Sequence, residues 1–261
     1  YGDTLDEPNE TVVVRLAHAD GAQIHDDHAT GTILDDDPPA LSIGDVVVAE
    51  GSGGVRHLSF PITLSSHGAA AVSVDVATGG GTATPGVDYE PRTERVTIPA
   101  GTTSGEFRVL VYSDTCDEPD ETVHVGLSNP AGATIHDGLA VGTIQDHDAI
   151  PSLSISGVSR PEGDQGTSNA VFTVSLSSPI SCEVRVRART SDGSAVAPGD
   201  YAAVDRQVVF SPGQTSQTVE VPVVGDETAE ADETFFVDLS EPMPATIAVG
   251  RATGTILNDE S

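Results

Sequence analysis

Apolar residues along this chain recur at every second position, in runs of five to nine residues, again and again. In VRHLSFPITLS, Leu58, Phe60, Ile62 and Leu64 alternate with polar or small neighbours. AVSVDVATG does the same with Val72, Val74 and Val76, FRVLVYSD with Phe107, Val109 and Val111, and ETVHVGLSNP with Val123, Val125 and Leu127. Further on, Phe172, Val174 and Leu176, Val184, Val186 and Ala188, Val219, Val221 and Val223, and Phe235, Val237 and Leu239 repeat the theme. A period of two puts one face of an extended segment in a core and the other in water, so these runs predict half-buried strands. The intervening GGGTATPG, IPAGTTSG, FSPGQTSQ and LSNPAGA are rich in the glycine, proline and small polar residues that turns require. No window carries a helical apolar period.

The pattern is also periodic on a longer scale. Asp88-Tyr89 recurs as Asp200-Tyr201, Glu50-Gly51 as Glu162-Gly163, Glu121-Thr122 as Glu233-Thr234, and Gly142-Thr143-Ile144 as Gly254-Thr255-Ile256, each 112 residues on. The first 37 residues match the end of the same unit at an offset of 111, with Gly31-Thr32-Ile33 preceding Gly142-Thr143-Ile144. Internal repetition outranks other fold arguments, and it divides the chain into a trailing part of a unit at 1–37 and full units at 38–148 and 149–261. ILDDDPPALSI and IQDHDAIPSLSI join them, each stiffened by proline. About seven strands per unit, with turns between them, predict an all-β chain of tandem immunoglobulin-like antiparallel β-sandwiches. The leading part holds only two strand candidates, TVVVRLAHA and HATGTILDD, and a lone hairpin cannot bury a face. It therefore reads as an excerpt of a longer array.

Charge adds the chemistry. Forty-one acidic residues stand against 11 basic ones, all arginine, for a net charge of -30. Nucleic acid and anionic lipid need basic surfaces, so both are excluded as partners, and no run is long and apolar enough to insert in a bilayer. The acids cluster: DTCDEPDET at 114–122 recurs as DTLDEPNET at 3–11 and DETAEADET at 226–234. Like charges so close repel unless water or a cation intervenes. On an antiparallel sandwich the loops collect at two ends. Glu50, the Asp88 loop, the Asp114–Glu121 connection and the Asp146–Asp148 tail are then expected to converge at one end. A convergence of carboxylates suits a hard cation, and calcium, with six to eight oxygen ligands, over magnesium or zinc.

These motifs, Glu-Gly, GGGTATPGVDYE and SDGSAVAPGDYAAV, PAGTTSGEFRV and SPGQTSQTVEV, and the closing GTI-acid run, resemble the Calx-beta domain across essentially the whole chain. That family is known from sodium–calcium exchangers, an integrin beta subunit and large bacterial surface proteins, and its fold is a calcium-binding immunoglobulin-like sandwich. The resemblance implies Ca2+ ligands at Glu50, Asp88, Asp114, the Cys116 carbonyl, Glu118, Glu121, Asp146 and Asp148 in one unit. In the next it implies Glu162, Asp200, Asp226, Glu230, Glu233, Asn258, Asp259 and Glu260. The leading part retains Asp3, Glu7, Glu10, Asp35, Asp36 and Asp37 of this set. Ser113-Asp114 and Gly225-Asp226 replace an acidic pair of the calcium-rich members, and Asp146-His147-Asp148 and Asn258-Asp259-Glu260 replace three successive acids. One or two ions per full unit follow, with affinity near the ~10⁻⁴–10⁻³ M of extracellular modules.

An enzyme is not expected: a glycosidase pair needs aromatic platforms, and the chain has no tryptophan and 4% aromatic residues. Ile24-His25-Asp26 and Ile135-His136-Asp137 lack an accompanying nucleophile and read as exposed loops. Cys116 and Cys182 fall in different repeats, so a bridge between them is not expected. Arg185, Arg187 and Arg189 share an outward strand face, where pairing with Asp238 and stacking on Phe236 are expected. The function that results is a calcium-binding module of a larger extracellular or cell-surface protein. Its partners are calcium, neighbouring repeats and a protein or glycan adhesion target. The alternative is a calcium-sensing regulatory module of a membrane transporter or signalling protein.

Overall fold

The computed structural model describes residues 7, 9–34, 37–67 and 70–260, and every regular element among them is a strand. A hairpin comes first, β1 (Glu10–Arg15) and β2 (His28–Ile33). Nine strands follow: β3 (Ala40–Ile43), β4 (Val46–Ala49), β5 (Val55–Leu64), β6 (Val72–Gly81), β7 (Thr93–Ile98), β8 (Ser104–Tyr112), β9 (Glu121–Ala131), β10 (Thr134–Asp137) and β11 (Leu139–Gln145). The second nine are β12 (Ser152–Ser156), β13 (Val158–Pro161), β14 (Gly166–Leu176), β15 (Val184–Asp192), β16 (Asp205–Phe210), β17 (Ser216–Gly225), β18 (Glu233–Met243), β19 (Thr246–Val249) and β20 (Arg251–Leu257).

Each set of nine builds a four-stranded and a five-stranded sheet, ordered β10-β3-β5-β8 and β4-β11-β9-β6-β7, then β17-β14-β12-β19 and β13-β20-β18-β15-β16. The period of two is what makes them pack. Leu58, Phe60 and Ile62 of β5, Val72, Val74 and Val76 of β6 and Phe107, Val109 and Val111 of β8 are at most 1% exposed and form one core. Phe172, Val184, Val186, Val219, Val221, Val223, Phe235 and Val237 form the other. Tyr89 and Tyr201, the tyrosines of the two Asp-Tyr motifs, are each 1% exposed, and Tyr201 stacks on Phe235 with ring centroids 4.5 Å apart.

Two features depart from the sequence-based expectation. Nine strands replace about seven because the first strand of each unit splits to serve both sheets and a further short strand, β10 or β19, pairs with its first half. β3 pairs with β5, while β4 crosses over and pairs parallel with β11; β12 and β13 repeat this against β14 and β20. The sandwiches are thus antiparallel except at these split strands and at the parallel pairs β10–β3 and β12–β19. At the second crossing, Gly157 passes so close to β20 that a Cβ there would lie 2.7 Å from the Thr253 carbonyl oxygen.

The second departure is a disulfide between Cys116 and Cys182, whose Cα atoms are 5.8 Å apart. The chain divides into two compact units, and the second takes in Gly51–Gly54 and Ser113–Pro119 along with Asp146–Ser261, so both cysteines lie in it. Hydrogen bonds hold the two loops in register for the bridge. The Thr115 amide donates to Ser181 Oγ at 2.9 Å, and the Ser181 amide donates to Thr115 Oγ1 at 2.7 Å.

Candidate metal centre

The second repeat shows how the fold assembles acids. β13 runs parallel to β20, so the residues that follow both strands emerge side by side. The Glu162 amide donates to the Leu257 carbonyl at 3.2 Å, and the Gly163 amide to Asp259 Oδ1 at 3.1 Å. Glu162, Asp259 and Glu260 consequently offer carboxylate oxygens within 4.8 Å of one another. Glu162 is only 8% exposed. Burial first, then the charges of Glu260, Asp226, Glu230 and Asp259, push its carboxyl up to about 7. The neighbours that matter are all acids.

The other loops close on the same place. Asp226 follows β17 and accepts the Thr228 amide at 2.6 Å, which holds its carboxyl below the usual range. The Glu230 amide donates to Asn258 Oδ1 at 2.9 Å, tying the β17–β18 connection to the end of β20. Glu233 opens β18 against Asp200, and burial, then the Asp200 charge, raise its carboxyl. Asp200 is itself fixed by the Val196 amide at 2.7 Å. All seven predicted acids of this repeat are therefore linked, with Asn258 as a bridge between two loops.

The first repeat follows the same local rules. The Glu50 amide donates to the Gln145 carbonyl at 2.9 Å, Asp88 Oδ2 accepts the Thr84 amide at 2.5 Å, and Asp114 Oδ1 accepts the Cys116 amide at 2.6 Å. Asp88, Glu118 and Glu121 bring oxygens within 4.8 Å of one another. Burial raises the Asp146 carboxyl, opposed by backbone donors from Asp148 and Glu118 and assisted by the charges of Asp148 and Asp117. Ser52 Oγ donates to Asp148 Oδ1 at 2.5 Å. Ser52 carries no sequence signal beyond its place in the Gly-rich turn after Glu50. Cys116 is 4% exposed, with its sulfur committed to the disulfide.

Do these residues fit a cation? Both carboxylate oxygens of Glu260 and Oδ2 of Asp148 are buried with no hydrogen-bond partner. A buried, unsatisfied carboxylate costs several kcal/mol at the order-of-magnitude level unless a charge meets it. Among the described residues no arginine pairs with Glu162, Asp200, Asp226, Glu230, Glu233, Asp259 or Glu260. Glu50 and Glu162 are the buried acids of the described chain, and they occupy the same repeat position. The all-oxygen donor set fits a hard divalent ion with irregular coordination, such as calcium, which would supply that charge.

Elsewhere, the outward face of β15 corrects the sequence reading. Arg187 forms a two-pronged pair with Asp205 and Arg185 pairs with Glu183, whereas Asp238 pairs with Arg251, whose guanidinium also lies 5.0 Å from the Phe236 ring centre. Arg251, on the neighbouring strand, lies directly opposite Asp238 in the ladder. Asp26, Asp27 and His28 also cluster, all exposed, with His28 Nδ1 2.9 Å from Asp27. Asp3, Asp35 and Asp36 lie outside the described residues.

Carboxylate-rich loops gathered at strand ends of two successive β-sandwiches define an acidic β-sandwich repeat. The chain belongs to the Calx-beta domain family, whose sequence profile matches residues 42–149 and 154–260. It is 33% identical over 160 residues to extracellular matrix protein 3 of Lytechinus variegatus, covering 58% of this chain and 5% of that protein. It is 28% identical over 273 residues to the extracellular matrix organizing protein FRAS1 of Homo sapiens, covering 97% and 7%. Against sodium/calcium exchanger 2 of Rattus norvegicus it is 29% identical over 191 residues, covering 65% and 20%. The chain thus spans a fifth or less of these relatives. Among solved structures, CBD12 from CALX1.2 aligns at 19% identity and TM-score 0.39, over 83% of this chain and 98% of that one.

Proposed function

We propose that this chain is a calcium-binding tandem module of a larger extracellular or cell-surface protein. Its full units span 38–148 and 149–261, and each holds Ca2+ where its last strand ends. The observation that carries this reading is Glu162, buried among Glu260, Asp259, Asp226 and Glu230, with the Glu260 oxygens buried and unpaired. Such a cluster is tolerable with a divalent ion and costly without one. An ion there restrains the chain as it leaves one repeat for the next, which suits a spacer or adhesion array. Similarity to extracellular matrix proteins and the disulfide, which persists in oxidising compartments, support that setting.

Similarity to a sodium/calcium exchanger favours a second reading, a calcium-sensing regulatory module. Affinity separates the two: a sensor responds at micromolar calcium, a spacer near millimolar. Calorimetric titration with calcium, with magnesium as control, decides between them. Thermal melting at millimolar calcium tests the ligands, because an ion bound only by the folded state raises the midpoint. Glu121→Gln and Glu233→Gln each remove that rise for their own unit. An unchanged calcium response in both variants rejects the ligand assignment.

A further inference from the structure

The repeats share their registers but not the polar residues of one sheet face. β1–β2, β9–β11 and β18–β20 pair alike, with Val12 opposite Gly31, Val123 opposite Gly142 and Phe235 opposite Gly254. On the outward face of the five-stranded sheets the two full repeats then diverge. The first sets Ala77 against Gly126 and Gly126 against Leu139. At the same rungs the second sets Arg189 against Asp238 and Asp238 against Arg251. Gly79 and Gly80 likewise give way to Ser191 and Asp192, 112 residues on. The fold needs none of these polar side chains, because the first repeat builds a sheet of the same strand order without them.

In the second repeat they surround an open concavity of about 470 Å³, whose walls include Arg189, Ser191, Asp192, Ala197, Tyr201 and Asp238. Its acids are already held in place. Asp192 accepts the Tyr201 hydroxyl and, at 3.1 Å, the Ala197 amide; Asp238 accepts Arg251 at 2.6 Å and Ser191 Oγ at 2.8 Å. Those bonds keep both carboxyls below the usual range, so both are ionised. Arg189 is different. Its two ladder neighbours are Asp205 and Asp238, and each is committed to another arginine, Asp205 to Arg187 and Asp238 to Arg251. Among the described residues the exposed Arg189 side chain makes no hydrogen bond or ion pair, and Asp205 feels its charge only at longer range.

We propose that this concavity binds a hexuronate residue of a glycan, with the sugar carboxylate on the Arg189 guanidinium and the sugar hydroxyls donating to Asp192 and Asp238. The mixed lining selects the class. A free guanidinium fork matches a carboxylate through two parallel bonds. Ionised Asp192 and Asp238 only accept hydrogen bonds, so they favour hydroxyl donors and repel a second anion. An acidic peptide side chain meets the first condition alone and a neutral sugar the second alone; a polyhydroxylated acid meets both. Tyr201, its ring stacked on Phe235, gives the site a fixed wall, and a concavity with a few convergent polar groups is the usual form of a small-ligand site. None of the calcium ligands proposed above takes part, so the site stands apart from that reading.

The test uses the full chain, stripped of metal and dialysed free of chelator, titrated with sodium glucuronate at fixed ionic strength while backbone amide shifts are followed by NMR. The amides of Arg189, Ser191 and Asp192 shift, with a dissociation constant on the order of a millimolar for so small a ligand. Acetate, methyl glucoside and a capped glutamate leave them in place at the same concentrations. Arg189→Ala weakens glucuronate binding roughly tenfold or more at an unchanged melting midpoint, and Arg189→Lys, which keeps the charge and loses the fork, retains part of it. Equal shifts with acetate, methyl glucoside or the capped glutamate, unchanged affinity in Arg189→Ala, or shifts that require added calcium overturn the proposal.

Discussion

Glu162 sets the tone of the molecule at the scale of single residues. An acid whose folded carboxyl is raised keeps its proton longer folded than unfolded, so its ionisation opposes folding. In metal-free protein, stability is expected to fall as pH rises from about 4.5 through about 7, by roughly 3 kcal/mol at most. Glu233 and Asp146, raised by burial, act in the same sense, while Asp226, held low by Thr228, acts oppositely at more acid pH. Melting in a chelator at pH 5 and pH 8 measures the fall. Glu162→Gln flattens it, leaving the metal-free protein more stable at pH 8 yet unresponsive to calcium in its own unit. A Glu162→Gln protein that keeps the full pH slope assigns the effect to other groups.

The clustered acids could be read from sequence because repetition marks them. Glu50 and Glu162, Asp88 and Asp200, and Glu121 and Glu233 recur while their neighbours change, and the fold brings them together at the strand ends. Ser52 left no such trace, because its partner Asp148 is near only after folding. The disulfide was illegible for the same reason. Thr228 and Ala70 stand where a second copy of each cysteine would fall, so no repeat pairing announced it. Proximity came from the Thr115–Ser181 hydrogen bonds, which belong to the folded loops.

At the scale of elements, alternation predicted nearly every long strand and its inward residues. It missed the splitting of β3 from β4 and of β12 from β13, because a crossing between sheets changes partners without breaking the period of two. The packing of β11 and β20 against the facing sheets yields a graded prediction. Gly142→Leu drives a side chain into Phe60 and Leu58, and Gly254→Leu into Phe235 and Phe172; both are expected to destabilise their own units by about 1–3 kcal/mol or more. A Cβ at Gly31 would meet only the Val12 carbonyl oxygen, 3.9 Å away, so Gly31→Leu leaves both unfolding transitions where they were. Denaturant titration of the three variants separates the cases, and equal destabilisation by all three contradicts the packing argument. Reducing Cys116–Cys182, which spans 66 residues of sequence, should lower stability by about 2–4 kcal/mol in the loop-entropy picture. A Cys182→Ser melt with and without reductant checks this, since only the wild-type chain responds.

For the molecule as a whole, a net charge of -30 opposes compaction and is screened by any salt. Calcium must therefore be distinguished from ionic strength. Added NaCl raises the melting midpoint gradually and in both units. Calcium at ten times its dissociation constant adds about 1.4 kcal/mol per site above a NaCl control of equal ionic strength, and magnesium adds less. Equal effects of calcium and matched NaCl reduce the clusters to surface charge.

The shared register of β1–β2, β9–β11 and β18–β20 also bears on how the polypeptide comes off the ribosome. In each repeat this hairpin is synthesised last, and it supplies both the final sheet strands and the final carboxylates. Until it emerges, the earlier strands have an open flank and the earlier acids have incomplete company. On the proposed calcium reading, cation capture and closure of the sandwich are one event, repeated unit by unit in the order of translation.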